Sequence, residues 1–244
     1  MKRIIACICA AVMMFSNISV FAADSADFAG TASAVTEKQT EAYNILNKLG
    51  IIDDGTALNA KITRGGFAKL ICNMLLLNNS GNNIKFSDVD SSHPLYRYIS
   101  ACCERGLFNG YSENIFGADL DLSYDEAIVV LVKALGRDVE VKSGTVFPAG
   151  YLSVAKSAKI TAAEVKAGDG LTYGDVLILM LNTLNSYAVI TDYSAGSLKI
   201  DYSETLLNKI FDTYKISGIV TANRFTGIHS ADDKAGVNRV KIDD

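Results

Sequence analysis

Ser123-Tyr124-Asp125-Glu126-Ala127-Ile128-Val129-Val130-Leu131-Val132-Lys133-Ala134-Leu135-Gly136 is the stretch on which the fold turns. Ala127, Val130, Leu131, Ala134 and Leu135 fall at i, i+3, i+4, i+7 and i+8, one stripe of an amphipathic helix. Ser123 is a hydroxyl N-cap with Glu126 three residues on, a capping box. The same template occurs twice more. Phe67, Leu70, Ile71, Met74 and Leu75 hold it sixty residues earlier, behind Ile62-Thr63. Val176, Leu179, Met180, Thr183 and Leu184 hold it forty-nine residues later, behind Leu171-Thr172. Thr172 has Asp175 at +3, a weaker box, and Thr63 has Gly66, so that helix is less well capped.

Each copy has an upstream helix. Tyr43, Leu46 and Leu49 lead into Gly50-Ile51-Ile52, and Tyr98, Ile99 and Cys102 into Gly106-Leu107-Phe108. Tyr151, Val154, Ala155 and Ala158 lead into Ile160-Thr161. Gly50 and Gly106 read as the residues that stop a helix. Each unit is thus helix, turn, loop, helix. One such unit cannot bury its stripe alone, whereas three can close around a shared axis.

The whole chain fits that picture. It has 244 residues, 49% hydrophobic and 20% charged, with only 2 Pro and no Trp. That excludes collagen, an intrinsically disordered chain and a cysteine-stapled mini-protein. The formal charge is −4 and the pI about 5.3, with no basic stripe for nucleic acid. Two His leave little material for a His-based site.

Lys2 and Arg3, the apolar run Ile4 to Phe15 and the Val20-Phe21-Ala22 site read as an export signal cleaved before Ala23 or before Asp24. Loss of Lys2 and Arg3 takes the formal charge from −4 to −6. No later run is long enough to span a membrane. Cys72, Cys102 and Cys103 remain, an odd number with no CxxC spacing, and read as small core hydrophobes rather than a metal or redox site.

Phe86-Ser87-Asp88-Val89, His93-Pro94-Leu95-Tyr96, Gly106-Leu107-Phe108-Asn109-Gly110-Tyr111, Phe116 and Ala127 to Gly136 resemble the S-layer homology repeat. That family's pattern is F-x-D-V, H-(W or P), G-hydrophobic-hydrophobic-x-G-Y, F, then I-T-R-x-E at the start of the second helix. The second copy matches best. The first carries Ile62-Thr63-Arg64, and the third, from Phe147 to Asn185, is shortened and degenerate. The resemblance implies a mainly α fold, a pseudo-threefold bundle of three helix-turn-helix repeats. A small α+β segment follows it. The expected division is a signal peptide at 1–22, a linker at 23–35 and repeats at 36–85, 86–146 and 147–187. The tail is 188–244, where Leu198, Ile200 and Tyr202 alternate, Leu206 to Tyr214 suits a short helix, Ile216 to Ala222 is β-prone, and Val240 and Ile242 end the chain as a strand. That ending reads as the start of a longer domain.

The family also implies noncovalent anchoring of an exported protein to secondary cell-wall polysaccharide, often pyruvylated, on a Gram-positive-type surface. An acidic sugar needs a cation and aligned donors, which an Arg fork and free N–H groups at a helix start would supply. Only Arg64 keeps that Arg; Tyr124 and Tyr173 stand in its place in the other copies. The residues expected to bind polysaccharide are Thr63, Arg64, Ser123, Tyr124, Thr172, Tyr173, Asp88 and Tyr111. Arg64 is expected in a surface groove, where its removal leaves stability unchanged. Asp88 and Asp90 lack the Gly and terminal acid of a calcium loop. No catalytic motif is present, and no cofactor or metal is expected. The alternative reading is a surface-array scaffold acting mainly by protein–protein association, the tail its interface and the repeats no longer binding polysaccharide.

Overall fold

A computed structural model describes residues 35–78, 84, 86–168, 170–192, 199–213, 219–222 and 241–243. The expected signal peptide and most of the linker lie outside these residues, as do Leu198, Tyr214, Ile216 and Val240. The described chain is mainly helical and divides into two units.

The larger unit, 31–212, holds seven α-helices among the described residues. They are α1 (Glu37–Lys48), α2 (Arg64–Met74), α3 (Tyr96–Glu104), α4 (Tyr124–Ala134), α5 (Ala149–Ser157), α6 (Tyr173–Leu184) and α7 (Leu206–Phe211). The three template helices are α2, α4 and α6. Each starts as its sequence dictates, with Thr63, Ser123 and Thr172 accepting from the N–H three residues on. The capping boxes of α4 and α6 are both closed: Ser123 N–H donates to Glu126 and Thr172 N–H to Asp175, each at 3.0 Å. Gly50, Gly106 and Gly136 take the left-handed conformation that ends α1, α3 and α4. At the ends of α2 and α5 that position falls on Leu76 (φ 50°) and Lys159 (φ 58°), without glycine's freedom.

The stripes are core. Phe67, Ile71, Met74, Ala127, Leu131, Val176, Leu179, Met180 and Leu184 have no exposed surface. Helix pairing departs from the simplest picture of self-contained units. α2 packs on α3, α4 on α5 and α6 on α1, so every pair joins two different repeats and the last closes on the first. Within a repeat the link is polar. Asn73 Nδ2 donates to Ile51 O and Asn182 Nδ2 to Ile160 O, at 3.0 and 3.1 Å, the same spacing in the first and third copies.

The pseudo-threefold axis is written in the backbone. Ile62 N–H donates to Leu171 O, Leu171 N–H to Leu122 O, and Leu122 N–H to Ile62 O, at 2.9, 3.0 and 3.0 Å. Each of these residues precedes an N-cap and is buried. One residue past each N-cap the cycle repeats outward. Arg64 N–H donates to Leu120 O, Tyr124 N–H to Gly168 O, and Tyr173 N–H to Ala60 O. Three loops therefore each cover the helix start of a neighbouring repeat.

Residues 188–212 belong to this unit. β1 (Ile190–Asp192) pairs antiparallel with β2 (Lys199–Asp201), Ile190 opposite Asp201. Val189 N–H donates to Leu135 O, and Leu206 and Leu207 of α7 join the core. The smaller unit is described only within 213–244. Its described part is an antiparallel pair of β3 (Ile219–Ala222) and β4 (Lys241–Asp243), with Ile219 opposite Asp243. Among the described residues no helix is long and apolar enough to cross a membrane.

Candidate functional site

The candidate site is built on the loop 109–120, which connects the two helices of the second repeat and lies over the start of α2. Arg64 holds it from beneath. Its Nη2 donates to Asn109 O (2.9 Å) and its Nε to Phe116 O (3.1 Å). Its Nη1 donates to Glu126 Oε1 (2.7 Å), and its guanidinium lies 4.9 Å from the centre of the Phe116 ring and 5.7 Å from that of Phe108. The other oxygen of Glu126 accepts from Ser123 N–H and Oγ. One carboxylate thus caps α4 and pairs with the first residue of α2.

This corrects the expectation for Arg64. Only 6% of the residue is exposed, and each nitrogen of its fork is engaged within the protein. The helix start is equally occupied. Arg64 N–H and Gly65 N–H donate to Leu120 O and Ala118 O, and Gly66 N–H to Thr63. The donors that would have met an acidic sugar instead fasten a neighbouring repeat's loop.

Asp88 holds the same loop from its other side, accepting from Phe116 N–H (2.8 Å) and Gly117 N–H (2.7 Å), with Ala118 N–H at 3.4 Å. Partial burial pushes the Asp88 carboxyl up, but the amides, its own included, outweigh it and hold the group below its ordinary value. Gly110 lets the loop fold back on itself. A Cβ there would stand 2.3 Å from Ser112 O and 2.6 Å from the Phe86 ring.

Gripped on both faces, the loop presents its outer side chains. Tyr111 is 68% exposed, Leu120 44% and Ile115 37%. With Asp88, Ser112 and Asp119 they line an open cleft of about 550 Å³. Its lining carries two carboxylates and no cation. An aromatic face, apolar walls and carboxylate acceptors suit a ligand rich in hydroxyl groups.

The eight expected residues therefore separate. Arg64, Asp88 and Tyr111 meet around this one loop, and Ser123 is tied to it through Glu126. Thr63, Ser123 and Thr172 spend their hydroxyls on helix caps. Tyr124 is buried, and its hydroxyl is pushed up by burial first and by Asp125 second. Tyr173 is half-buried, its hydroxyl 3.3 Å from where a Cβ on Gly66 would sit, so it packs against the first repeat. Sequence reasoning missed Ile115 and Leu120 as cleft walls. It also missed Glu126 as the partner of Arg64, for which the only signal was two opposite charges at matching helix starts, 62 residues apart. Among the described residues no group of three or more His, Cys, Asp or Glu gathers as a metal site would.

The S-layer homology domain model matches residues 85–128, from just before Asp88 into the first turns of α4, and so contains the cleft. The chain is 26% identical over 153 residues to the middle cell wall protein of Brevibacillus brevis, covering 61% of this chain. It is 27% identical over 193 residues to a cell surface protein of Thermoanaerobacter kivui, covering 74% of this chain. The matches span only 14% and 24% of those relatives' own lengths.

Proposed function

Starting from residues 85–128 as an S-layer homology domain, we propose that this is an exported, wall-anchored surface protein whose second repeat seats a cell-wall polysaccharide in the Tyr111 cleft. The observation that carries the proposal is the largely exposed Tyr111 beside Asp88, Ile115 and Leu120, inside the matched region. The names of the two relatives support the location. Sugar rings stack their apolar faces on an aromatic ring and offer hydroxyls to carboxylates. The cleft favours a neutral stretch of polymer over a pyruvylated one, because carboxylates line it and the nearby guanidinium is turned inward. Arg64, Asp88 and Glu126 are positioning residues in this reading: they shape the loop that carries Tyr111. The role is structural rather than catalytic.

The test is co-sedimentation with cell walls stripped of protein. Wild type should pellet with them, and Tyr111→Ala should bind about tenfold more weakly, equivalent to ~1.4 kcal/mol. Unchanged binding by a folded Tyr111→Ala protein would place the ligand elsewhere. Lateral self-association has one observation in its favour: Val146 and Phe147, 79% and 66% exposed, stand together before α5. Light scattering across protein concentrations, without wall material, distinguishes it.

A further inference from the structure

The cysteines that read as inert core fillers are brought together by the pairing of α2 with α3. Cys72 lies in the last turn of α2 and Cys102 in α3, thirty residues apart in the chain and in different repeats. Cys102 Sγ lies 3.4 Å from Ala68 O, and Ala68 is one helical turn before Cys72. Cys72 Sγ lies 3.5 Å from Leu77 O, where the chain leaves α2. Cys102 Sγ therefore sits against the α2 backbone within one helical turn of Cys72, near enough for the two thiols to interact. That contact makes them unequal. Hydrogen bonding from Cys102 draws the Cys72 thiol below its ordinary value against the effect of burial, and the same contact with burial pushes Cys102 up. Cys103, next in sequence, is half-buried, and burial holds it at about 11.

We infer that Cys72 and Cys102 form a disulfide under oxidising conditions, a covalent cross-link between the first and second repeats. The inference rests on the export half of the proposed function and not on polysaccharide binding. The chemistry is exchange with a small disulfide. Cys72 thiolate attacks one sulfur of the reagent, expelling a thiolate that takes up a proton. Cys102 then loses its proton and attacks the Cys72 sulfur of the mixed disulfide, expelling the second thiolate. Two protons and two electrons pass to the reagent, which leaves as two thiols. An exported protein meets such oxidants outside the reducing cytosol. Both residues are buried in the folded unit, at 5% and 0% exposure, so the bond forms chiefly as the chain folds and is then shielded from reductant.

The reduced protein without residues 1–22, which carry Cys7 and Cys9, is refolded from urea with hydroxyethyl disulfide, then denatured, alkylated and digested. The expected result is a peptide pair joined through Cys72 and Cys102, a fall of two in free thiols, and an upward Tm shift on the order of ~5 °C that reductant reverses. A Cys103→Ser variant should form the same link, and a Cys72→Ser variant should form no internal link. Full alkylation of Cys72 and Cys102 after oxidative refolding overturns the inference. So does a link to Cys103 in place of either.

Discussion

Arg64→Ala removes a fork whose three bonded nitrogens are all internally engaged, and the cost follows from what is left behind. Glu126 loses its cationic partner while 29% of its side chain is exposed, so water repays only part of the loss. Asn109 O and Phe116 O lose donors beneath the loop, each costing about 1–3 kcal/mol if left dry. Breaking a largely buried ion pair by deleting one partner costs about 3–5 kcal/mol. These contributions overlap, so a total near ~4 kcal/mol is expected, or roughly 10 °C in Tm for a unit of this size. Urea and thermal unfolding followed by circular dichroism measure it. Arg64→Lys should recover less than half, since one ammonium cannot reach two carbonyls and a carboxylate in the fork's geometry. A double-mutant cycle with Glu126→Ala should return a coupling above ~1 kcal/mol. A stability loss under about 0.5 kcal/mol for Arg64→Ala would refute the reasoning. If that variant stayed as stable as wild type and yet lost its hold on cell walls, the guanidinium would belong to the ligand.

Asp88→Asn should loosen the loop 116–118. Because the folded carboxyl titrates below its unfolded value of ~3.9, its contribution is full above that pH and fades as pH falls through the folded value. The Tm gap between wild type and Asp88→Asn should therefore be constant near neutrality and shrink below about pH 4. A gap independent of pH would remove the carboxylate from the account. Leu131→Ala should cost about 2–5 kcal/mol in urea unfolding, since the side chain is fully buried in the shared core. Lys159→Gly should raise stability by ~0.5–1 kcal/mol, because φ 58° at an exposed helix end strains any residue with a Cβ. A destabilised Lys159→Gly protein would mean that the lysine side chain makes up for its backbone.

Local features were legible because they depend on neighbours a few residues away. The hydroxyl before each template helix, the acid three residues later in α4 and α6, and the apolar stripe together fix caps and core faces. Partner choice was not legible. Nothing in the template of α2 says that it packs on α3 rather than on α1, because that depends on three units closing at once. Arg64 shows the consequence for the site. A basic residue at the first position of a helix ordinarily faces water, and a local reading left it there. It is buried because Leu120, Ala118 and Phe116 of another repeat arrive over it, and their register comes only with the closed bundle. Asp88 and Tyr111 were legible as family positions, but not that one latches the loop and the other stands on its outer face. The tail blurred for a related reason: nothing in its sequence says that Leu206 and Leu207 return to the helical core.

The cycle through Ile62, Leu122 and Leu171 bears on how the protein carries tension. In an open row of three modules, an end module has one neighbour and can be peeled away by breaking one junction. In a ring, each module has two. Pulling the third repeat free must break Ile62 N–H to Leu171 O and Tyr173 N–H to Ala60 O on one side. On the other it must break Leu171 N–H to Leu122 O and Tyr124 N–H to Gly168 O. Load applied to any one repeat is shared across both of its junctions. The bundle should therefore yield in a single step rather than fray repeat by repeat.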